Sequence, residues 1–397
     1  MNDKKNIAIL SDSPFLCTGY SNQSLKLGNL LVEEGHNILY FASNYLGQNL
    51  EPPITIEGNQ QINFKVIGQG REQYFKDLLP IYTKQYKIDI LIILLDTFML
   101  HGNDAWLLKL DLSPAKTIFW FPSDGGGGLP LGCEQILKFV NVPIAMSKFG
   151  QQQCKEVHNL NTLYIPHAIN TKDFYKLDVD KRLELRKKWN LENKFVIGTV
   201  ARNQGRKMLD RTIKVMAKYS KLNPNAVLLM HCDPTDVAQV FPIVELIKRY
   251  NIENRVIFTG TTYYKGIDYK DMNEIYNLMD VFLLTTSGEG FGIPTVVAMS
   301  CQVPVLVTNY TTTKELVIDN NAGLGIDVVG EITGSWVVER GLCDIDDAVT
   351  KIDYLYKNIN IRNDMGKNGR IAVLEKYSWE KIGEEWKKVI KELGDVY

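Results

Sequence analysis

Two short segments carry residue types whose spacing suits chemistry on a phosphorylated ligand. The first reads Thr285-Thr286-Ser287-Gly288-Glu289-Gly290-Phe291-Gly292-Ile293-Pro294. Glycines at 288, 290 and 292 let the backbone approach a ligand and turn its N–H groups inward. Pro294 is a favoured opener of a helix, and a helix N-terminus offers unpaired donors and a positive dipole end to phosphate. Glu289 has the wrong charge for phosphate; its carboxylate suits hydroxyl groups beside the phosphates, as on a sugar. The plain alternative is a glycine-rich turn with a solvated Glu. The second segment reads Val200-Ala201-Arg202-Asn203-Gln204-Gly205-Arg206-Lys207. Arg202 and Lys207 lie five apart across a glycine-containing loop, so both are expected to converge on one diphosphate, Arg as a fork and Lys as a point charge. Arg206 reads as the solvent-facing member, and an exposed basic turn is the plain alternative.

Other residues have smaller claims. Asp124 follows the apolar run 117–121 and precedes Gly125-Gly126-Gly127-Gly128; it suits orienting hydroxyl groups, or simply capping a turn. His101 reads as structural. His231-Cys232-Asp233 ends a strand and borders either a ligand or the core. Lys148, after Ser147, starts a helix. Asp178 with Asp180, and Asp344 with Asp346, imitate metal-binding carboxylate pairs but sit where helices start, so solvated caps are expected.

The elements that must position these residues alternate along the chain. Apolar runs at 7–10, 38–41, 89–95, 117–121, 142–146 and 162–165 read as strands, with helical patterns at 21–34, 72–86 and 149–157. The order then restarts. Strands are expected at 195–200, 227–230, 256–259, 281–284 and 303–307, and helices at 209–222, 237–250, 271–278 and 294–300. Strands without polar alternation, separated by helices, imply parallel sheets. The fold class is therefore α/β, formed twice, with two Rossmann-like units. The expected division is 1–176, 177–375 and a tail at 376–397, in which Trp379, Ile382, Trp386 and Ile390 form one apolar stripe of a helix that needs a surface to cover.

Composition bounds the function classes. The chain has 397 residues, 45% hydrophobic and 23% charged, with 45 Lys+Arg against 46 Asp+Glu for a net charge of −1. A disordered chain, a collagen-like rod and a supercharged nucleic-acid packer are excluded, and a polyanion is disfavoured as the main partner. A membrane span needs about 20 apolar residues, far more than the longest apolar run supplies, and the apolar run at 7–10 is too short for a signal-peptide core. Six scattered cysteines without a C-x-x-C pair read as reduced thiols of a cytoplasmic protein, with no zinc site.

In this order and spacing, several segments resemble the GT-B glycosyltransferases, specifically the large retaining family called GT4, or glycosyltransferase group 1. The segments are Arg202-x4-Lys207, the loop 288–294, Tyr276-Asn277-Leu278-Met279-Asp280-Val281, Ile165-Pro166-His167-Ala168-Ile169-Asn170 and Tyr377-Ser378-Trp379-Glu380. The resemblance covers nearly the whole chain. It implies that Arg202 and Lys207 grip the diphosphate of a nucleoside-diphosphate sugar. Glu289 matches the first Glu of an E-x7-E signature, which contacts the donor sugar. Gly288, Gly290, Phe291, Gly292 and Ile293 line sugar and phosphates. Thr18-Gly19-Tyr20 matches a glycine loop that approaches the diphosphate, with Ser21 as the expected cap of the following helix. His167 falls in a connector, and the tail matches a helix that packs back on the first domain. No metal and no cofactor is implied beyond the sugar nucleotide itself.

Two departures stand out. Val297 occupies the position of the second Glu, the usual ribose ligand; the Thr295 hydroxyl is a candidate substitute, and weaker nucleotide binding is another outcome. No histidine follows the strand at 117–121, which leaves Asp124 as the candidate there. The expected activity is metal-independent transfer with retention of configuration to a saccharide, protein or other hydroxyl acceptor, with DNA bearing a hydroxylated base left open. A non-catalytic sugar-nucleotide-binding subunit and a nucleotide-sugar epimerase are the rival functions.

Overall fold

A computed structural model describes residues 4–56, 60–260, 262 and 266–394. The apolar runs form two parallel sheets. The first contains β1 (Asn6–Asp12), β2 (Asn37–Ser43), β3 (Lys65–Gly68), β4 (Ile90–Ile93), β5 (Lys116–Phe121), β6 (Val142–Ala145) and β7 (Leu163–Tyr164) in the order β3-β2-β1-β4-β5-β6-β7. The second contains β8 (Phe195–Val200), β9 (Ala226–His231), β10 (Val256–Phe258), β11 (Val281–Leu284), β12 (Val305–Thr308) and β13 (Gly323–Ile326) in the order β10-β9-β8-β11-β12-β13. Every neighbouring pair is parallel. β4, β8, β11 and β12 are buried along their whole length, which accounts for their unbroken apolar sequences.

In each sheet the chain builds outward on one side of its first strand and then returns to build on the other. That reversal opens a crevice outside the carboxyl ends of β1 and β4 in one sheet and of β8 and β11 in the other, the positions where open α/β sheets bind ligands.

Contacts divide the chain into a unit of 1–167, 335–338 and 380–397, and a unit of 168–334 and 339–379. The change of unit at His167 falls inside the connector singled out by sequence. There the Trp120 indole donates to the Ile165 carbonyl at 2.7 Å, and the buried His167 ring lies edge-on to Trp120, with centroids 4.4 Å apart.

The tail forms a helix over Trp379–Gly394, and residues 395–397 lie outside the described residues. From residue 380 onward it belongs to the first unit. Ile382, Trp386 and Ile390 are buried there, Trp386 meeting Trp120 edge-on at 5.0 Å, while Trp379 is half-buried. Lys387 pairs with Glu34 at 2.8 Å at its margin. Among the described residues, no helix is long and apolar enough to cross a membrane.

Three expectations need correction. The pattern at 72–86 is a short 3-10 turn, Gln73–Phe75, followed by a helix at Leu79–Gln85. Pro80 is tolerated in the first turn of that helix but cannot continue an earlier one. The pattern at 237–250 is helical only over Ile243–Arg249, after Pro242; residues 237–242 are a loop with a separate task. Finally, β3 and β13 were not expected, nor was the antiparallel pair Val328–Thr333 and Glu339–Cys343.

Candidate functional site

The two chemical segments leave the carboxyl ends of β8 and β11, the switch-point strands of the second unit. After β8 the chain turns through a 3-10 turn at Gly205–Lys207 into the helix Leu209–Leu222. After β11 it runs through residues 285–292 into the helix Ile293–Ser300, with Gly292 at φ 108° as N-cap, a conformation that other residues rarely adopt. Hydrogen bonds staple the two loops together. The Arg206 carbonyl accepts from the Ser287 amide at 2.7 Å, the Ser287 hydroxyl at 3.0 Å and the Thr286 hydroxyl at 3.1 Å. The Thr285 hydroxyl donates to the Met208 carbonyl at 2.9 Å.

Glu289 sits at the centre of this arrangement. Lys207 Nζ binds its Oε1 at 2.6 Å and Arg206 Nη1 binds its Oε2 at 2.8 Å. The Glu289 and Lys207 side chains are 7% and 8% exposed. Burial would push the Glu289 pKa up, but the charges of Arg206 and Lys207, with hydrogen bonds from Lys207 and Thr286, bring it down to about 2. Its amide donates to the Thr311 hydroxyl at 3.0 Å. Thr311 holds φ 49°, a costly conformation for a β-branched residue.

The arrangement of the cations differs from the sequence expectation. Arg206 is not the solvent-facing member; it clasps Glu289. Arg202 Nε binds Asp236 Oδ2 at 2.8 Å, while Lys207 Nζ binds Glu289 Oε1 at 2.6 Å. Asp236 is almost fully buried, and the Arg202 hydrogen bond lowers its pKa against the effect of burial. Asp236 immediately precedes the stretch 237–242, which was expected to be helical and is a loop. That loop is tied to the basic loop by Asn203, whose side chain donates to the Phe241 carbonyl at 2.7 Å and accepts from its amide at 3.1 Å.

Phe291 is buried edge-on to Tyr377, and its carbonyl accepts from the Thr312 hydroxyl at 2.8 Å. Gly290 and Ile293 are half-buried, while Gly288 is buried. Thr295 and Val297 are buried in the helix after Gly292.

In the first unit, Thr18 lies in the turn between β1 and the helix Gly19–Glu33. Its hydroxyl accepts from the Ser21 amide at 3.1 Å and donates to Asp12 Oδ2 at 2.7 Å. Thr18 is therefore the cap; Ser21 lies inside the first turn, buried. Gly19 is exposed as the first helical residue. Burial raises the Asp12 pKa, opposed by the Thr18 hydrogen bond. Tyr20 donates to Asp96 Oδ1 at 2.6 Å. Asp12, the last residue of β1, and Asp96, which follows β4, were not singled out in the sequence: a lone Asp at the end of an apolar run looks like any turn.

Asp124 is half-buried before a glycine run whose far end is anchored by the helix Lys148–His158. There the Gly128 amide donates to Gln153 and the Leu129 amide to His158 Nε2, each at 3.0 Å. Lys148 lies over the Tyr164 ring, and His101 Nδ1 contacts the adjacent Gly102 carbonyl. Burial lowers the pKa of His167 to about 3 and of His231 to about 4, so both are neutral at pH 7; His231 Nδ1 contacts the Thr259 hydroxyl, and Cys232 beside it is buried. Asp178 and Asp344 cap helices, with Asp180 and Asp346 in the first turns. Among the described residues no group of three His, Cys, Asp or Glu side chains is placed to hold a metal.

The family model of glycosyl transferases group 1 matches residues 181–372. The capsular polysaccharide biosynthesis glycosyltransferase CapM of Staphylococcus aureus is 31% identical over 126 residues, 31% of this chain and 30% of that protein. N-acetyl-alpha-D-glucosaminyl L-malate synthase of Bacillus anthracis is 23% identical over 291 residues, 73% of this chain and 66% of that one. Each alignment spans less than two thirds of the relative's length. Among solved structures, sucrose-phosphate synthase from Thermosynechococcus elongatus matches with a TM-score of 0.77 at 20% identity, covering 99% of this chain and 100% of that one. HepE of Anabaena, in complex with UDP-glucose, matches with a TM-score of 0.72 at 14% identity, covering 98% and 100%. At these identities the likeness establishes the fold, two Rossmann-like units of the GT-B class.

Proposed function

We propose that the protein, whose residues 181–372 match the family model of glycosyl transferases group 1, moves a sugar from a nucleoside-diphosphate sugar to a hydroxyl acceptor, with retention of anomeric configuration and without a metal ion. The observation that carries this reading is Glu289, held ionised between Lys207 and Arg206 at the β8/β11 switch point. A buried carboxylate accepts hydrogen bonds from sugar hydroxyls, and adjacent cations with a helix N-terminus receive phosphate.

In the reaction, the bond from the anomeric carbon to the diphosphate breaks and negative charge develops on the leaving oxygen. Arg202, Lys207 and the amides after Gly292 stabilise that charge. The acceptor oxygen bonds to the anomeric carbon on the face being vacated, and its proton passes to the departing phosphate. Cation side chains thus do the neutralising that a metal performs elsewhere. Thr18, Gly19 and Asp124 are assigned to ligand contacts of the first unit, and Thr295 to the ribose contact that Val297 does not make. The free thiols, five of six buried, fit a cytoplasmic location.

The matched relatives carry names that mention a capsular polysaccharide and a glucosaminyl malate, so the acceptor is proposed only as a hydroxyl compound. The test is product analysis by NMR after reaction with UDP-, GDP-, ADP- and TDP-sugars in chelator-treated buffer. Retained anomeric configuration with undiminished turnover is expected. Inversion, or activity that returns only with added metal, overturns the finer reading. Binding without turnover points to the non-catalytic subunit.

A further inference from the structure

Lys207 holds the buried Glu289 carboxylate with one of its three N–H donors, so turning its ammonium fully to a diphosphate would strip Glu289 of that partner. A buried ion pair that loses one partner is strongly destabilised, because an uncompensated charge remains in a poorly solvated place. Arg206 resolves this conflict. Two cations face one carboxylate, each on its own oxygen: Lys207 Nζ on Oε1 at 2.6 Å and Arg206 Nη1 on Oε2 at 2.8 Å.

We propose that Arg206 is a positioning residue that keeps Glu289 paired when Lys207 turns to the donor diphosphate, so that the cluster hands one cation over without exposing its carboxylate. The inference rests on the donor reading above and adds a residue to it. Arg206 suits the task for three reasons. Its carbonyl takes three hydrogen bonds from Thr286 and Ser287, which fixes its main chain to the loop that carries Glu289. Its guanidinium also reaches the Gly288 carbonyl at 3.4 Å, curling back over that loop. Glu289 in turn is restrained at its amide by Thr311. The carboxylate is therefore held in place by contacts that do not involve Lys207. A planar guanidinium also fixes the direction of its hydrogen bonds, which a point-like ammonium does not.

Calorimetric titration of the purified full chain with UDP, GDP, ADP and TDP tests this, using wild type, Arg206→Met, Arg206→Lys, Glu289→Gln and the double variant Arg206→Met/Glu289→Gln. With the diphosphate that binds best, Arg206→Met is expected to weaken binding about tenfold or more, and Arg206→Lys by less than about threefold. The double variant is expected to bind within about threefold of Glu289→Gln, since a neutral residue 289 no longer detains Lys207. The main-chain staples persist in every variant, so a purely structural loss appears in the unfolding midpoint and is not rescued by Glu289→Gln. A double variant that stays about tenfold weaker than Glu289→Gln makes Arg206 a direct phosphate ligand and overturns the inference, as does undiminished binding by Arg206→Met. A wild type that binds none of the four overturns the donor reading itself.

Discussion

Glu289 has both carboxylate oxygens engaged by cations, which makes it a titration probe of its own site. Its pKa falls to about 2 in the folded chain, against about 4.3 for an unperturbed Glu. A depressed acid contributes stability that is fully present above the unfolded pKa and is lost as pH falls through the folded one. Wild type should therefore lose more stability between about pH 4.5 and pH 2 than Glu289→Gln does, measured as the difference of their denaturant midpoints across that range; equal losses contradict the pairing. Thr311 offers a second residue test. Thr311→Ala removes the acceptor for the Glu289 amide and keeps the left-handed backbone, whereas Thr311→Gly removes both the acceptor and the strain. The Gly variant should be the more stable of the two by about 1 kcal/mol in chemical denaturation. Glu289, Arg202 and Lys207 could be singled out as candidates because glycine and charge spacing lie within single loops. The role of Arg206 was not, because its partner lies 83 residues away, and Asp236 lies 34 residues from Arg202. Tertiary distance hides such pairs from any local pattern.

At the scale of elements, the strands Phe195–Val200 and Val281–Leu284 and the helix Leu209–Leu222 coincide with their sequence patterns. Continuous apolar runs and a clean 3.6-residue stripe leave little choice. Short edge strands such as Gly323–Ile326 have too few side chains to announce themselves, and Pro80 and Pro242 broke stripes that otherwise read as helix. One conserving device of the second unit sits away from the site, at the amino end of β11. Asp280 accepts from Arg182 at 2.9 Å, from Arg186 at 3.1 Å and from the Val196 amide at 2.8 Å, locking the helix Val179–Lys188 onto β8 and β11. Arg186 is buried. Asp280→Asn should cost about 3 kcal/mol of stability by leaving that guanidinium undercompensated, while diphosphate affinity of the folded variant stays within about twofold of wild type. A large loss of affinity with unchanged unfolding would place Asp280 in the ligand's service instead.

For the whole molecule, a net charge of −1 over 397 residues gives no hint of an anion site, because the cations that matter are few and each is set against a carboxylate. The presence of two α/β units was legible, and the stripe that contains Trp386 showed that the tail needs a surface to cover; that this surface belongs to the first unit came only from the family resemblance. The acceptor was not legible, since a hydroxyl group can be recognised by many single polar side chains and leaves no spacing of its own in the sequence. The central claim is that the second unit binds and activates a nucleoside-diphosphate sugar through Arg202 and Lys207. Its most direct test is the rate of nucleoside diphosphate release from UDP-, GDP-, ADP- and TDP-sugars by wild type, Arg202→Ala and Lys207→Ala. Wild type is expected to consume at least one donor, and each variant to be slower by roughly 100–1,000-fold; a donor consumed equally fast by all three proteins would rule out activation by these two cations.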